Sequence, residues 1–360
     1  MKEWNKATMS INKSYKSIDT KLLVVVILVF LLFLLFLLIS KNTFISLLFL
    51  LIFTFLLLYK LIVNNRKLRD FIGTKLMLTI TIFVSLLFFL IFFTLLSGSF
   101  LILGDQPIAE LLFSSTWKPN SGEFGLFGVI IGTIIVTSIA MVIAIPISLL
   151  TAVYISEYAP KKIRQMIRPF IDVLAGVPSV VYGLCAFIVF VPLIRDVIAP
   201  FFGEVNSSGF CLFTASLILS IMVFPIIISL CIEAFSAIPT ELKEASLSLG
   251  ATKWETVKKV IFRASGPGVI SAIFLGFGRA FGETIAVSMV VGNQEIIPSS
   301  LFLQGQTLAS VIAQNYLEVM SIPKLASVLI FVGLILFAVV IIFNLLGFII
   351  LRRAKRRWNY

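Results

Sequence analysis

The chain has 360 residues, 59% of them hydrophobic and 13% charged; soluble domains run nearer to about 25% charged, so the composition is that of a membrane protein. Histidine is absent, which excludes histidine-based triads, imidazole metal sites and imidazole pH switches, and the three cysteines, Cys185, Cys211 and Cys231, sit in apolar stretches without CxxC spacing. The net charge of +12 does not imply nucleic acid, because the basic residues lie between apolar runs rather than on one solvated domain.

Runs of about 18 or more apolar residues, long enough to cross a bilayer, fall near residues 22–39, 44–63, 76–96, 127–153, 171–194, 210–232, 267–292 and 325–350. An all-α polytopic membrane protein of about eight transmembrane helices is expected. The first two runs are almost pure Leu, Phe, Val and Ile, lack Gly and Pro, and are joined by Ser40-Lys41-Asn42-Thr43. They read as a lipid-facing hairpin. Runs four to seven carry Gly128, Gly132, Pro146, Gly176, Pro178, Gly183, Pro225, Gly276, Gly278 and Gly282, residues found where membrane helices pack closely or line a cavity.

Of the 29 Lys and Arg residues, 24 fall in the amino-terminal segment, in alternate loops and in the carboxy-terminal tail. Lys41, Lys118, Arg195 and Lys324 fall on the other side, and Arg279 lies inside a span. That asymmetry predicts cytoplasmic termini and an even number of crossings. The expected organisation is an amino-terminal segment with hairpin and basic loop over 1–75, a transmembrane domain over 76–351 and a basic tail over 352–360.

The loop from 233 to 265 has its own punctuation. Pro239-Thr240-Glu241 opens a helix in which Leu242, Ala245 and Leu249 share a face, and Gly250 suits the left-handed position that ends it. Thr252-Lys253-Trp254-Glu255 is a capping box for a second helix running to about Phe262. Two short helices with a glycine corner form a knob suited to docking; an amphipathic loop lying on the bilayer is the alternative on these grounds alone.

Glu244-Ala245-Ser246-x-x-x-Gly250-Ala251, followed by Val260-Ile261-Phe262, resembles the EAA loop of ABC importer permeases. Arg263 stands where that pattern has proline, with Pro267 four residues on, so a less sharply kinked exit from the second helix is expected. Further strings are similar to the permeases of phosphate-specific importers, the PstC/PstA family and its PstC type, over roughly residues 115–350. These are Trp117-Lys118-Pro119 with Phe124-Gly125, Tyr154-Ile155-Ser156-Glu157-Tyr158-Ala159-Pro160, Leu174-Ala175-Gly176-Val177-Pro178-Ser179-Val180-Val181-Tyr182-Gly183, and Gly278-Arg279-Ala280-Phe281-Gly282-Glu283-Thr284-Ile285-Ala286-Val287.

The resemblance implies a six-helix permease core with an added amino-terminal hairpin, in the inner or cytoplasmic membrane. It implies an ATPase-coupling loop containing Glu244, Ala245, Ser246, Gly250 and Ala251, and a phosphate pathway containing Arg279, Glu283 and Thr284. Its partners would be an ABC ATPase dimer, a second similar permease and an extracytoplasmic phosphate-binding protein. The chain has no G-x4-G-K-[ST] string, so ATP is expected to be hydrolysed by a separate subunit, with no catalytic residue, metal or cofactor in this chain.

Arg279 lies twelve residues past Pro267, about 18 Å along a helix and close to mid-bilayer. A charge there costs about 2.5–3.5 kcal/mol on insertion scales unless it faces protein or water. Two readings stay open: Glu283, at i+4 on the same helix face, pairs with it structurally, or the guanidinium offers its fork to a passing phosphate. Gly278-x-x-x-Gly282, with Gly276 and Ala280, reads as a close helix contact. Gly176, Pro178 and Ser179 read as a helix break that exposes polar backbone, and Asp172 as interfacial. A secondary anion transporter using Arg279 and Glu283 is the rival function, but it leaves the EAA-like loop without a purpose. An intramembrane enzyme lacks a convergent catalytic set.

Overall fold

The computed structural model describes residues 66–118, 123–204, 207–294, 296–319 and 322–358. The hairpin expected over 22–63 lies outside them. The chain divides into two compact units, 1–89 and 90–360. In the first, the described residues begin helix α1 (Arg66–Gly98), and its apolar side chains from Leu76 to Phe89 are exposed. Apolar side chains bare over so many turns suit contact with lipid rather than water.

In the second unit α2 (Phe100–Asp105) and α3 (Ile108–Phe113) precede a two-residue ladder, β1 (Trp117–Lys118) and β2 (Glu123–Phe124), pairing Trp117 with Phe124. Then come α4 (Phe127–Tyr158), α5 (Lys161–Gly176), α6 (Ser179–Phe201) and α7 (Leu212–Ser236). After the loop helices α8 (Thr240–Ser248) and α9 (Lys253–Ala264) follow α10 (Gly266–Phe281), α11 (Ile285–Ser288), α12 (Leu308–Val319) and α13 (Pro323–Trp358). Among the described residues five segments are long and apolar enough to cross a membrane: 73–105, 127–158, 179–201, 212–236 and 323–354. The pair α9–α10, bent by 73°, brings the number to six when it is counted as one broken span. These six correspond to expected spans three to eight.

Helix α7 is the centre, with 67% of its most apolar window buried against none for the 73–105 segment. It packs against α4, α5, α6, α10 and α11. The reason on the α4 side is a row of buried residues at every fourth position, Val136, Ala140, Ala144, Ser148 and Ala152. Small side chains along an i+4 row let backbones approach, and dispersion across that seam holds helices together where lipid removes the usual hydrophobic drive. At the far end of the bundle α13 is tied to α1 and α2. Ser327 Oγ donates to the Gly98 carbonyl at 2.8 Å and accepts the Ile102 N–H at 3.1 Å, and Lys324 meets Asp105 at 2.9 Å.

Of the four π turns among the described residues, 154–158, 186–190 and 194–198 each end two residues before a proline, Pro160, Pro192 and Pro200, whereas 257–261 is followed by Arg263 at that position. Proline has no N–H for the carbonyl four residues back and its ring pushes that carbonyl away, so the preceding turn widens to hydrogen bonds of longer span. Pro146, Pro169 and Pro225 sit inside helices without such a turn, so proline permits the widening without compelling it.

Two expected spans are corrected. The fifth starts at Ser179, not 171, because the chain breaks between Gly176 and Pro178 and leaves α5 as a separate amphipathic helix carrying Asp172. The seventh does not run to 292. Helix α10 stops at Phe281 with Gly282 as its C-cap, α11 is one turn long, and the chain then reverses through Gly292 (φ +91°) and Asn293 (φ 56°), both left-handed. A parallel bridge joins Gly292 to Gly305 before α12 begins. This re-entrant backbone, and not another helix, fills the Gly128-x-x-x-Gly132 notch: a Cβ on Gly128 would lie 3.1 Å from the Ile296 carbonyl oxygen, and one on Gly132 would collide with the Gln306 carbonyl oxygen. Irregular backbone at membrane depth is tolerated where protein buries it.

Candidate functional site

The 233–265 loop folds as its punctuation predicts. Pro239 precedes α8 in an extended conformation, and Gly250 takes φ +83°. There the N–H groups of Gly250 and Ala251 return to the carbonyls of Leu247 and Ser246 at 3.0 and 3.3 Å, closing the orphan carbonyls of the helix end. The Thr252–Glu255 capping box is complete: Glu255 N–H donates to Thr252 Oγ1 at 3.2 Å, and Thr252 N–H donates to Glu255 Oε2 at 3.0 Å. The Thr252 backbone donor, followed by Lys259, holds the Glu255 carboxyl below the ordinary carboxylate range.

The knob is braced from behind and bare in front. Ser246 and Thr256 hydroxyls meet at 3.0 Å between its two helices. Lys243 Nζ reaches Glu157 Oε1 at 2.7 Å, with the two side chains only 20% and 11% exposed. Lys253 Nζ lies 4.6 Å over the Tyr158 ring, and Phe262 packs edge-on against Phe235 of α7 at 5.3 Å. Arg164 of α5 donates to the carbonyls of Ile155 and Ser156 in the same π turn. Glu244 and Ala245 are exposed, Ser246 and Ala251 are half-buried, and Leu242, Leu249 and Trp254 stand 49%, 89% and 52% exposed. The Lys243–Glu157 and Lys253–Tyr158 braces were not legible in the sequence. Their acceptors lie in the 154–160 string, which carried resemblance but no assigned role.

The exit from the knob departs from expectation. Arg263 in place of proline predicts a gentle kink, yet α9 and α10 meet at 73°. The bend sits at Ser265, whose hydroxyl turns back to the Ile261 carbonyl at 2.7 Å, and Pro267 occupies the first turn of α10. There its missing N–H costs nothing.

At the other end of α10 the Arg279–Glu283 ion pair, one of the two readings left open by the sequence, is not formed. Glu283 lies beyond the helix end, so the i+4 geometry that would have aligned the two is gone. Glu283 Oε1 instead accepts the Ala286 N–H of α11 at 3.4 Å. Thr284 Oγ1 donates to the Gly282 carbonyl at 3.1 Å. Arg279 is exposed, and its side chain has no hydrogen bond or ion pair among the described residues.

The glycines divide α10 into two sides. A Cβ on Gly276 would meet Ile227 at 2.9 Å and Val223 at 3.1 Å on α7, so that face is core. Gly278 has nothing within 4 Å and Gly282 meets only its own helix backbone. The helix contact expected over Gly278-x-x-x-Gly282 is therefore absent among the described residues, which leave the side that carries Arg279 uncovered. The break at Gly176, Pro178 and Ser179 is present and faces open space at Gly176; the Tyr182 hydroxyl spans it, donating to the Leu174 carbonyl at 2.8 Å. Gly183, one residue on, lets α11 approach, with Ala286 Cα 3.1 Å from where a Cβ would stand. Among the described residues no cluster of three or more Cys, Asp or Glu side chains is placed to hold a metal.

The family described as binding-protein-dependent transport system inner membrane component matches residues 144–360. A probable phosphate transport system permease protein PstC of Methanocaldococcus jannaschii is 34% identical over 265 residues, 70% of this chain and 84% of that protein. The phosphate transport system permease protein PstC of Pasteurella multocida is 34% identical over 261 residues, 69% of this chain and 81% of that protein. Among solved structures, a chain of a bacterial alginate ABC transporter in complex with an alginate pentasaccharide-bound periplasmic protein matches with a TM-score of 0.54 and 14% identity, covering 79% of this chain and 96% of that one. That likeness is of fold alone.

Proposed function

Because the chain belongs to the binding-protein-dependent transport system inner membrane component family, we propose that it is a multi-pass permease subunit of an ATP-driven importer of inorganic phosphate. The α8–α9 knob is its contact with a separate ATPase dimer, and a second, similar permease covers the open side of α10 to complete the pathway. An extracytoplasmic phosphate-binding protein delivers the anion. Both termini face the cytoplasm, as the distribution of Lys and Arg favours. The 359–360 end and the 1–65 segment lie outside the described residues, so that orientation rests on sequence.

One observation carries the reading. The knob presents Leu242, Ala245 and Leu249 outward while Lys243, Lys253 and Ser246 fix it from behind. A bare apolar face on a braced support suits a docking helix better than a loop resting on lipid. From the knob, α9 runs through the Ser265 bend into α10 and so to Arg279, a continuous path from the docking face to the one charge inside the span. Arg279 on the uncovered side offers a planar donor fork to a tetrahedral oxyanion. ATP hydrolysis belongs to the partner, and this chain needs no cofactor of its own.

The rival, a proton-coupled anion carrier built on Arg279 and Glu283, leaves the braced α8–α9 knob without a purpose. Phosphate uptake into proteoliposomes holding the assembled complex, with and without ATP, separates the two. Uptake that stops when ATP is withheld supports the importer, and uptake that continues under a proton gradient alone supports the carrier.

A further inference from the structure

Helix α5 carries two apolar faces, and the described residues cover only one of them. Ile167 and Ile171 pack into the core around α7. Met166, Phe170 and Val173, at i, i+4 and i+7 and so on one face of the helix, are 61%, 66% and 67% exposed. The helix itself is firmly held. Arg164 donates to the Ile155 and Ser156 carbonyls of the preceding turn, and the Tyr182 hydroxyl donates to the Leu174 carbonyl at 2.8 Å. The bare stripe is therefore a fixed surface.

Its setting is the edge of the bilayer. Helix α5 joins two segments long and apolar enough to cross a membrane, α4 ending at Tyr158 and α6 beginning at Ser179, so it lies where both leave the hydrocarbon. The outer stripe of α4 changes character on the way there: exposed Ile147 and Leu150 give way to exposed Tyr154 and Tyr158, and tyrosine marks the headgroup level. Helix α5 then carries four basic residues, Lys161, Lys162, Arg164 and Arg168, against one acid, Asp172, with Lys161 and Lys162 exposed about a turn before Met166. The core of a protein interface is depleted in lysine. Lysines beside bare apolar side chains, with tyrosines close by, are instead the pattern of a helix lying in the interfacial plane, where apolar groups enter the acyl layer and ammonium groups rise to the headgroups.

We propose that α5 is a binding site for acidic phospholipid of the cytoplasmic leaflet: Met166, Phe170 and Val173 seat on the acyl chains, and Lys161 and Lys162 take the negatively charged headgroup. The inference rests on the reading of this loop as cytoplasmic. It adds the class of lipid that the loop selects.

The test is photocrosslinking in the purified assembled complex, this chain with its partner permease and ATPase, in nanodiscs of equal phosphatidylcholine and phosphatidylglycerol. Phe170 is replaced by the photoreactive p-benzoylphenylalanine, which keeps an aromatic ring at that position, and the adducts are identified by mass spectrometry. Lipid adducts should form and favour phosphatidylglycerol by at least about fivefold, the worth of one lysine near an anionic surface. Lys161→Gln together with Lys162→Gln should bring the two lipids to near parity, and Lys161→Arg together with Lys162→Arg should keep the preference. The proposal is overturned if the adducts form with the partner permease or the ATPase in place of lipid, if the two lipids label equally, or if the preference survives the double glutamine change in an assembled complex. The side of the membrane is tested separately, by a membrane-impermeant amine reagent that should reach Lys161 and Lys162 in inside-out vesicles and not in right-side-out ones. The reverse pattern would overturn the orientation beneath the proposal, whatever the crosslink shows.

Discussion

Lys243 of α8 and Glu157 at the end of α4 meet at 2.7 Å across 86 residues of sequence, in a site where both side chains are largely covered. This contact fastens the α8–α9 knob to the span that packs most extensively on α7. A partly buried charged hydrogen bond of this kind is worth about 1.5–3 kcal/mol, and removing one partner strands the other. Glu157→Gln and Lys243→Met should each leave the chain inserted and the ATPase bound, while lowering phosphate uptake per ATP hydrolysed several-fold. The exchange Glu157→Lys with Lys243→Glu should recover part of the loss. Uptake and ATPase rates measured on the same proteoliposomes decide it; unchanged stoichiometry in both single variants would remove the contact from the coupling path.

Gly250 offers a second handle, because its surroundings are empty while its φ of +83° is demanding. Gly250→Val should cost about 1–2 kcal/mol locally through the left-handed conformation alone, and Gly250→Asn much less. Ala245→Asp leaves the backbone untouched but places a charge on the exposed docking face. Gly250→Val and Ala245→Asp should insert normally and lose ATP-driven uptake together with ATPase retention on purification, with Gly250→Asn near wild type. Normal import by both impaired variants at equal expression would show that the knob is not the docking element.

The glycines give a contrast in which the same substitution has opposite consequences. A methyl on Gly132 collides with the Gln306 carbonyl, backbone that cannot swing aside, whereas one on Gly278 enters open space. Gly132→Ala should therefore destabilise the chain by about 1–3 kcal/mol or more, read as a lower midpoint of thermal aggregation in detergent. Gly278→Ala should leave that midpoint unchanged in the isolated chain but weaken co-purification of the second permease, if that subunit covers this side. A lowered midpoint for Gly278→Ala would mean that the uncovered side is buried by this chain after all.

Much of this architecture was legible in local sequence. Gly250, Thr252 and Glu255 specified the knob because caps act over three or four residues, and the apolar runs placed the spans because bilayer thickness sets their length. What failed did so where hydropathy was mistaken for helix. The 267–292 run is apolar throughout, yet Gly282 ends the helix and Gly292 with Asn293 reverses the chain, so the i+4 relation inferred for Arg279 and Glu283 never arises. The Gly278-x-x-x-Gly282 spacing predicts a contact that the described residues do not make, because spacing reports which residues share a face, not what lies opposite. The Lys243–Glu157 brace was invisible for the complementary reason: nothing local in either segment announces a partner 86 residues away.

The measurement closest to the central claim is ATP-dependent phosphate uptake, per assembled complex, by wild type and by Arg279→Gln and Arg279→Lys. Arg279 makes no hydrogen bond or ion pair among the described residues, so neither substitution should disturb assembly or basal ATPase activity. Loss of a bidentate charged contact of about 2–3 kcal/mol should cut uptake by Arg279→Gln roughly thirty- to a hundredfold or more, with Arg279→Lys intermediate because the charge survives without the planar fork. Wild-type uptake should vanish without ATP. Undiminished uptake by an assembled Arg279→Gln complex, or wild-type uptake that persists when ATP is withheld, would contradict the assignment of this chain as an ATP-driven phosphate permease with Arg279 on its pathway.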